Sequence, residues 1–153
     1  MITLLIFAPC EKVIIGTQDD AASIISVLET IKIKAPADLP SEVMLPLRWT
    51  VLSVWKRDAN IEDSVEFEQL IEVFRSDGSS AGSGSGKFRV TKDHLMYRII
   101  VDFPLFPIGQ QGQVFVRTKI RQTNPETEWS DIAEYPLLVI HENMPKEEAI
   151  PEI

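Results

Sequence analysis

Cysteine is nearly absent: Cys10 stands alone among 153 residues. No internal disulfide can form, which fits a reducing compartment and leads to the expectation of a cytoplasmic protein. Histidine is almost as scarce, with only His94 and His141. Nucleophilic catalysis would need one of them beside Cys10 or a serine, yet one precedes a strand and the other ends one. No His/Cys spacing matches a zinc site. Basic residues are outnumbered, 15 against 23 acidic, for a net charge of −8. A nucleic-acid partner is therefore not expected, since phosphate binding needs clustered Lys and Arg. Long apolar runs are missing too. The N-terminal run, residues 2–8, is far short of the about 20 residues that span a bilayer. No Lys or Arg precedes Lys12, and Pro9 before Cys10 suits neither signal-peptide nor lipoprotein cleavage. It reads as a buried first strand, and no membrane partner is expected.

What is present is period-2 patterning. Residues 112–140 spell a β-hairpin. Val114, Val116 and Ile120 alternate with Phe115, Arg117, Lys119 and Arg121, as a strand with one wet face requires. The 122–127 stretch, with Asn124-Pro125, supplies the turn. The returning strand, 133–141, carries Tyr135, Leu137 and Val139 on one face and Leu138 and Ile140 on the other, so it belongs deep in a sheet. Upstream, residues 11–15 continue the first strand past a Pro9 kink. Residues 23–35 read as one second strand, with Ile25, Val27, Ile31 and Ile33 on one parity. Residues 43–55 read as a third, with Leu45, Leu47, Trp49, Val51 and Trp55 in register. Residues 64–75 set Val65, Phe67, Ile71 and Val73 against Glu66, Glu68 and Glu72. Further strands are expected at 87–90 and 95–103, the latter with Leu95, Tyr97, Ile99, Val101 and Phe103 aligned. The Gly/Ser tract at 76–86 offers nothing to pack and is expected to be a mobile loop, native or a linker.

These strands, without convincing helix, predict an all-β fold: an antiparallel, immunoglobulin-like β-sandwich of about seven to nine strands, with an antiparallel barrel as the alternative. Residues 1–141 form the single expected domain, and 142–153 an acidic, proline-containing tail. Trp49, Trp55, Phe67 and Tyr97 are its largest expected core contributors.

Several short features together resemble an uncharacterised bacterial family of small β-sandwich proteins, a domain of unknown function. They are the opening apolar strand running into Cys10-Glu11, Ser23-Ile24-Ile25-Ser26-Val27-Leu28, the Pro36 to Pro40 loop, Phe103-Pro104 with Gly112-Gln113-Val114, and the closing Tyr135-Pro136-Leu137-Leu138-Val139. The resemblance covers nearly the whole chain. Members commonly carry glycine where this chain has Ser26. It implies a small β-sandwich with no established activity and no catalytic residues to carry over.

Chemistry is sparse. Asp58 to Asp63 offers oxygen ligands for calcium but has Asp63 where an EF-hand loop needs glycine. The Gly/Ser tract lacks a phosphate-loop signature. No cofactor, metal or small-molecule substrate is expected. The leading expectation is a non-enzymatic interaction or assembly module that contacts another protein or itself. The alternatives are a structural subunit of a larger particle, or an enzyme using scattered carboxylates such as Glu29 and Glu72. If the third strand and the closing hairpin share a sheet, Leu52, Val54 and Phe115 form an outward apolar strip edged by basic residues including Arg117, Lys119 and Arg121. That strip is the expected partner-binding surface. Leu105-Phe106-Pro107-Ile108 is expected to fold over one end of the sandwich rather than expose an apolar patch.

Overall fold

The computed structural model describes residues 2–58 and 64–143. Within them the chain is all-β, as its period-2 patterning requires. Eleven strands follow in order: β1 (Ile2–Ile15), β2 (Ala22–Val27), β3 (Thr30–Ala35), β4 (Met44–Leu45), β5 (Trp49–Arg57), β6 (Val65–Phe74), β7 (Ser80–Val90), β8 (Met96–Phe103), β9 (Phe106–Pro107), β10 (Gly112–Gln122) and β11 (Ser130–Asn143). β4 and β9 are a two-residue ladder, so the count of longer strands meets the upper end of the expected seven to nine. β11 runs two residues past the boundary expected at 141. No helix among the described residues is long and apolar enough to cross a membrane.

Two sheets face each other, ordered β2-β1-β5-β8 and β3-β11-β10-β6-β7. The inward parity of each strand follows the sequence. Val114, Val116 and Ile120 of β10 meet Phe67, Ile71 and Val73 of β6, and from the other sheet Trp49, Val51 and Trp55 of β5. Stacked Trp49 and Phe103 anchor one end, and Phe88 lies between Trp55 and Phe67 at the other. Phe106 and Ile108 are buried, so the 105–108 stretch does cap the core. β9 pairs with β4 there, and Trp49 Nε1 donates to the Leu105 carbonyl at 2.8 Å.

A polar layer crosses the middle of this core. Gln69 is fully buried on the inward face of β6. Its Oε1 accepts from Trp55 Nε1 at 3.1 Å, and its Nε2 donates to Ser53 Oγ at 2.7 Å and Thr118 Oγ1 at 2.9 Å. Ser53 and Thr118 sit at inward positions between apolar neighbours, Val51 and Trp55 on β5, Val116 and Ile120 on β10. With every hydrogen-bonding group of the amide engaged, burial carries no orphan penalty, and the layer ties one sheet to the other.

Five expectations need correction, the first being the single strand 43–55, which is split between β4 and β5 in different sheets. The Gly/Ser tract is not a loop: residues 80–86 are the first half of β7 and pair with β6 from Phe74↔Ser80 to Gln69↔Gly86. Only residues 76–79 turn. Gly82, Gly84 and Gly86 continue inward the parity of Phe88 and Val90, and Gly84 and Gly86 let β8 come close. A Cβ on Gly84 would stand 2.5 Å from Val101 Cγ1, and one on Gly86 3.0 Å from Ile99 Cγ2. The expected strand 23–35 is two strands in different sheets. Ser26 has φ 53°, and the chain crosses at Leu28 and Glu29, whose backbone groups bond Pro9 O and Leu138 N. β3 then pairs with β11 in parallel, so the five-stranded sheet is mixed rather than antiparallel. Finally, the first strand is not buried throughout, since Leu5 and Ile6 are exposed.

β1 explains why. Its first half pairs with β5 as far as Cys10↔Thr50, and its second half leaves β5 and pairs only with β2. Pro9 sits at the change, its carbonyl accepting from Leu28. The nitrogen and carbonyl of one strand residue point the same way, so the nitrogen without a hydrogen faces away from β5 and costs no ladder bond. Beyond Cys10 the β1–β2 hairpin bends over the outer face of β5 and β8. Glu11 and Lys12 come beside Thr50, Ile100 and Asp102, and at its tip Arg98 Nη2 donates to Asp20 O at 2.8 Å. The four-stranded sheet is thereby curled into a half-barrel.

Candidate interaction surface

The strip expected to join Leu52 and Val54 to Phe115 does not form. β5 and β10 belong to different sheets. Leu52 and Val54 do lie on the outer parity of β5, but the bent hairpin covers them, and they are 1% and 8% exposed.

Phe115, Arg117, Lys119 and Arg121 do share the outer face of the other sheet, where carboxylates from both neighbouring strands meet them. Register sets Arg117 opposite Glu72 and Glu134, and Arg121 opposite Glu68. Arg117 donates to Glu134 and lies over the rings of Phe74 and Phe115, 4.8 and 5.7 Å from their centroids. Arg121 bonds Glu126 at 2.9 Å and Glu68 at 3.1 Å and covers Trp129. Lys119 Nζ stands 3.4 Å from Glu72 Oε1, an ion pair without hydrogen-bond geometry. Lys87 and Arg89 of β7 extend the pattern to Glu68 and Glu66. Cations already matched on both sides offer little unsatisfied charge to a partner, and such pairs contribute roughly 0–1 kcal/mol each.

The two histidines considered for catalysis lie at opposite ends of the sandwich, and the cysteine is buried. Cys10 is buried beneath the hairpin, and desolvation, helped by the nearby Asp102 carboxylate, raises its pKa. Such a thiol is protonated and unreactive. His94 is beside Tyr97 at the start of β8, while His141 Nε2 lies 2.6 Å from Ile108 O at the other end of the sandwich. The Glu29 carbonyl bonds Leu138, four residues along β11 from the Glu134 that faces Arg117 and Glu72. At about 3.4 Å per residue this separates Glu29 from Glu72 by more than about 13 Å. Of the calcium loop, all but Asp58 falls outside the described residues, as does the tail from 144.

The surface that sequence reasoning missed lies at the open side of the curled sheet. Ala22, at the start of β2, faces Ile6 of β1, Val54 of β5 and Met96, Tyr97 and Arg98 of β8 across a pocket of about 280 Å³. Ile6 is 40% and Met96 51% exposed, and Leu95 is open beside them. Among the described residues, β2 has β1 on one side and no strand on the other. Apolar residues form this shelf because the bulge between Leu4 and Ile6 turns Ile6 outward, and because the hairpin stops short of covering Val54's neighbours. Nothing in the sequence signalled it. No protein-family model matches the chain, and no curated protein matches it.

Proposed function

We propose that this protein is a non-enzymatic interaction module whose contact surface is the apolar shelf of Ile6, Ala22 and Met96 beside β2. The observation that carries the reading is the coincidence of exposed apolar side chains with an unpaired strand edge. Apolar groups bordering a partner-seeking backbone are what protein-recognition surfaces combine. Within this reading the module is immunoglobulin-like. In support, the Tyr97 hydroxyl at the start of β8 accepts from Thr91 N at 2.7 Å and lies 3.0 Å from the Thr91 and His94 carbonyls, like the tyrosine corner of such sandwiches. The left-handed φ of Ser26 is the conformation glycine adopts freely, which supports the resemblance to the bacterial family that commonly has glycine there.

The test compares the full chain with Met96→Glu by sedimentation and by pull-down from the host. The exposed position predicts a variant that folds normally and loses native mass or bound protein. A folded variant that keeps both contradicts the reading.

A further inference from the structure

We infer that the occupant of this surface is a second copy of the chain, joined β2 to β2 in antiparallel register so that the curled sheet continues across a two-fold axis. The inference deepens the interaction-module reading and rests on it.

Four strand edges end the two large sheets: β2, β8, β3 and β7. An open edge presents unpaired N–H and C=O groups, and proteins guard such edges with charge, lysine above all, or with covering structure. β7 and β8 shield each other, the glycines of β7 lying against Ile99 and Val101. β3 carries exposed Lys32 and Lys34. β2 reads Ala-Ser-Ile-Ile-Ser-Val and has no charge and no proline. Among the described residues it is the one unguarded edge of the four.

Charge favours a second copy at this edge. Two chains of net charge −8 repel, so contact between copies belongs where carboxylates are absent or neutralised. β2 has none, and Asp20 beside it lies 4.0 Å from Arg98. Shape favours it too. Val27, 47% exposed, projects at one end of β2, and the shelf pocket opens beside Ala22 at the other. Antiparallel pairing about a two-fold axis at Ile24 brings Val27 of each copy to the Ala22 end of its partner. The two contacts between a Val27 end and an Ala22 end are then equivalent, as an isologous interface requires. A six-residue pairing is short, at the small end of interface sizes, so the dimer should dissociate on dilution.

Sedimentation of the full chain over a range of concentrations tests this. The expected result is a reversible monomer–dimer equilibrium that Val27→Lys abolishes, with the thermal midpoint of the dilute protein unchanged. If Val27→Lys fails to fold, Ser23→Lys at another exposed β2 position takes its place. A chain that stays monomeric at every concentration overturns the pairing, and so does a dimer that the folded lysine variant leaves intact. Met96→Glu separates the two readings. A dimer or bound protein lost with Met96→Glu but kept with Val27→Lys removes the β2 pairing and leaves the shelf as the contact surface. Indifference to both substitutions removes both.

Discussion

Gln69 is the residue whose chemistry is most tightly constrained. It occupies an inward position on the most regular amphipathic strand, where the pattern asks for an apolar side chain, and it satisfies Trp55, Ser53 and Thr118 at once. Gln69→Leu matches the volume but strands Trp55 Nε1 and Ser53 Oγ, while Thr118 keeps its bond to the Leu70 carbonyl. At about 1–3 kcal/mol for each group left unpaired, a loss of several kcal/mol is expected in denaturant unfolding. Asp77 works at the surface by similar means. Ser79 donates to its Oδ1 through both hydroxyl and amide, at 2.6 and 2.8 Å, and Gln110 Nε2 donates to Oδ2 at 2.9 Å. These bonds lower its pKa from 3.8 to about 2. Because the folded-state value is depressed, its contribution is complete above the ordinary carboxylate pKa and fades as pH falls from about 4 towards 2. Comparing the acid dependence of unfolding with that of Asp77→Asn checks this, and the difference between the two proteins should narrow across that window.

β7 and the β1–β2 hairpin are where element-scale physics departs from sequence pattern. Placing valine at Gly84 crowds Val101 and Phe103, and overpacking of this kind costs about 1–3 kcal/mol. Ser83→Val on the opposite, outward parity should be near neutral, because β-branched residues suit strands. Urea unfolding of the pair tests whether the tract is a strand, since a mobile loop would tolerate both equally. The hairpin β10–β11 and strand β6 were legible in the sequence because large apolar residues mark one parity clearly. In β7 the same alternation is present, Gly82, Gly84 and Gly86 against Ser83 and Ser85, in phase with Phe88 and Val90. It was unreadable as hydrophobicity, since glycine and serine give no contrast. Residues 23–35 misled for the opposite reason: Ile25, Val27, Ile31 and Ile33 keep one parity across a crossing between sheets. The outward placement of Leu52 and Val54 followed from parity, but their burial depends on the arm that β1 throws over them, a long-range fact with no local signature.

Across the whole molecule, the all-β class agrees with what the period-2 patterning implied. The contact surface proposed above is not the basic face on β10, whose cations are matched in place. It comes from the way the sheet curls: the hairpin covers the outer face of β5 and leaves its own last strand, β2, as an open edge beside an apolar shelf. Amide hydrogen exchange across residues 22–27, followed while the protein is diluted, tests that claim most directly. Outward amides of β2 should be protected at high concentration and exchange freely at low concentration, while those of β6 and β10 stay protected throughout. Exchange in β2 that is the same at every concentration, including one where the protein sediments as a dimer, would contradict it.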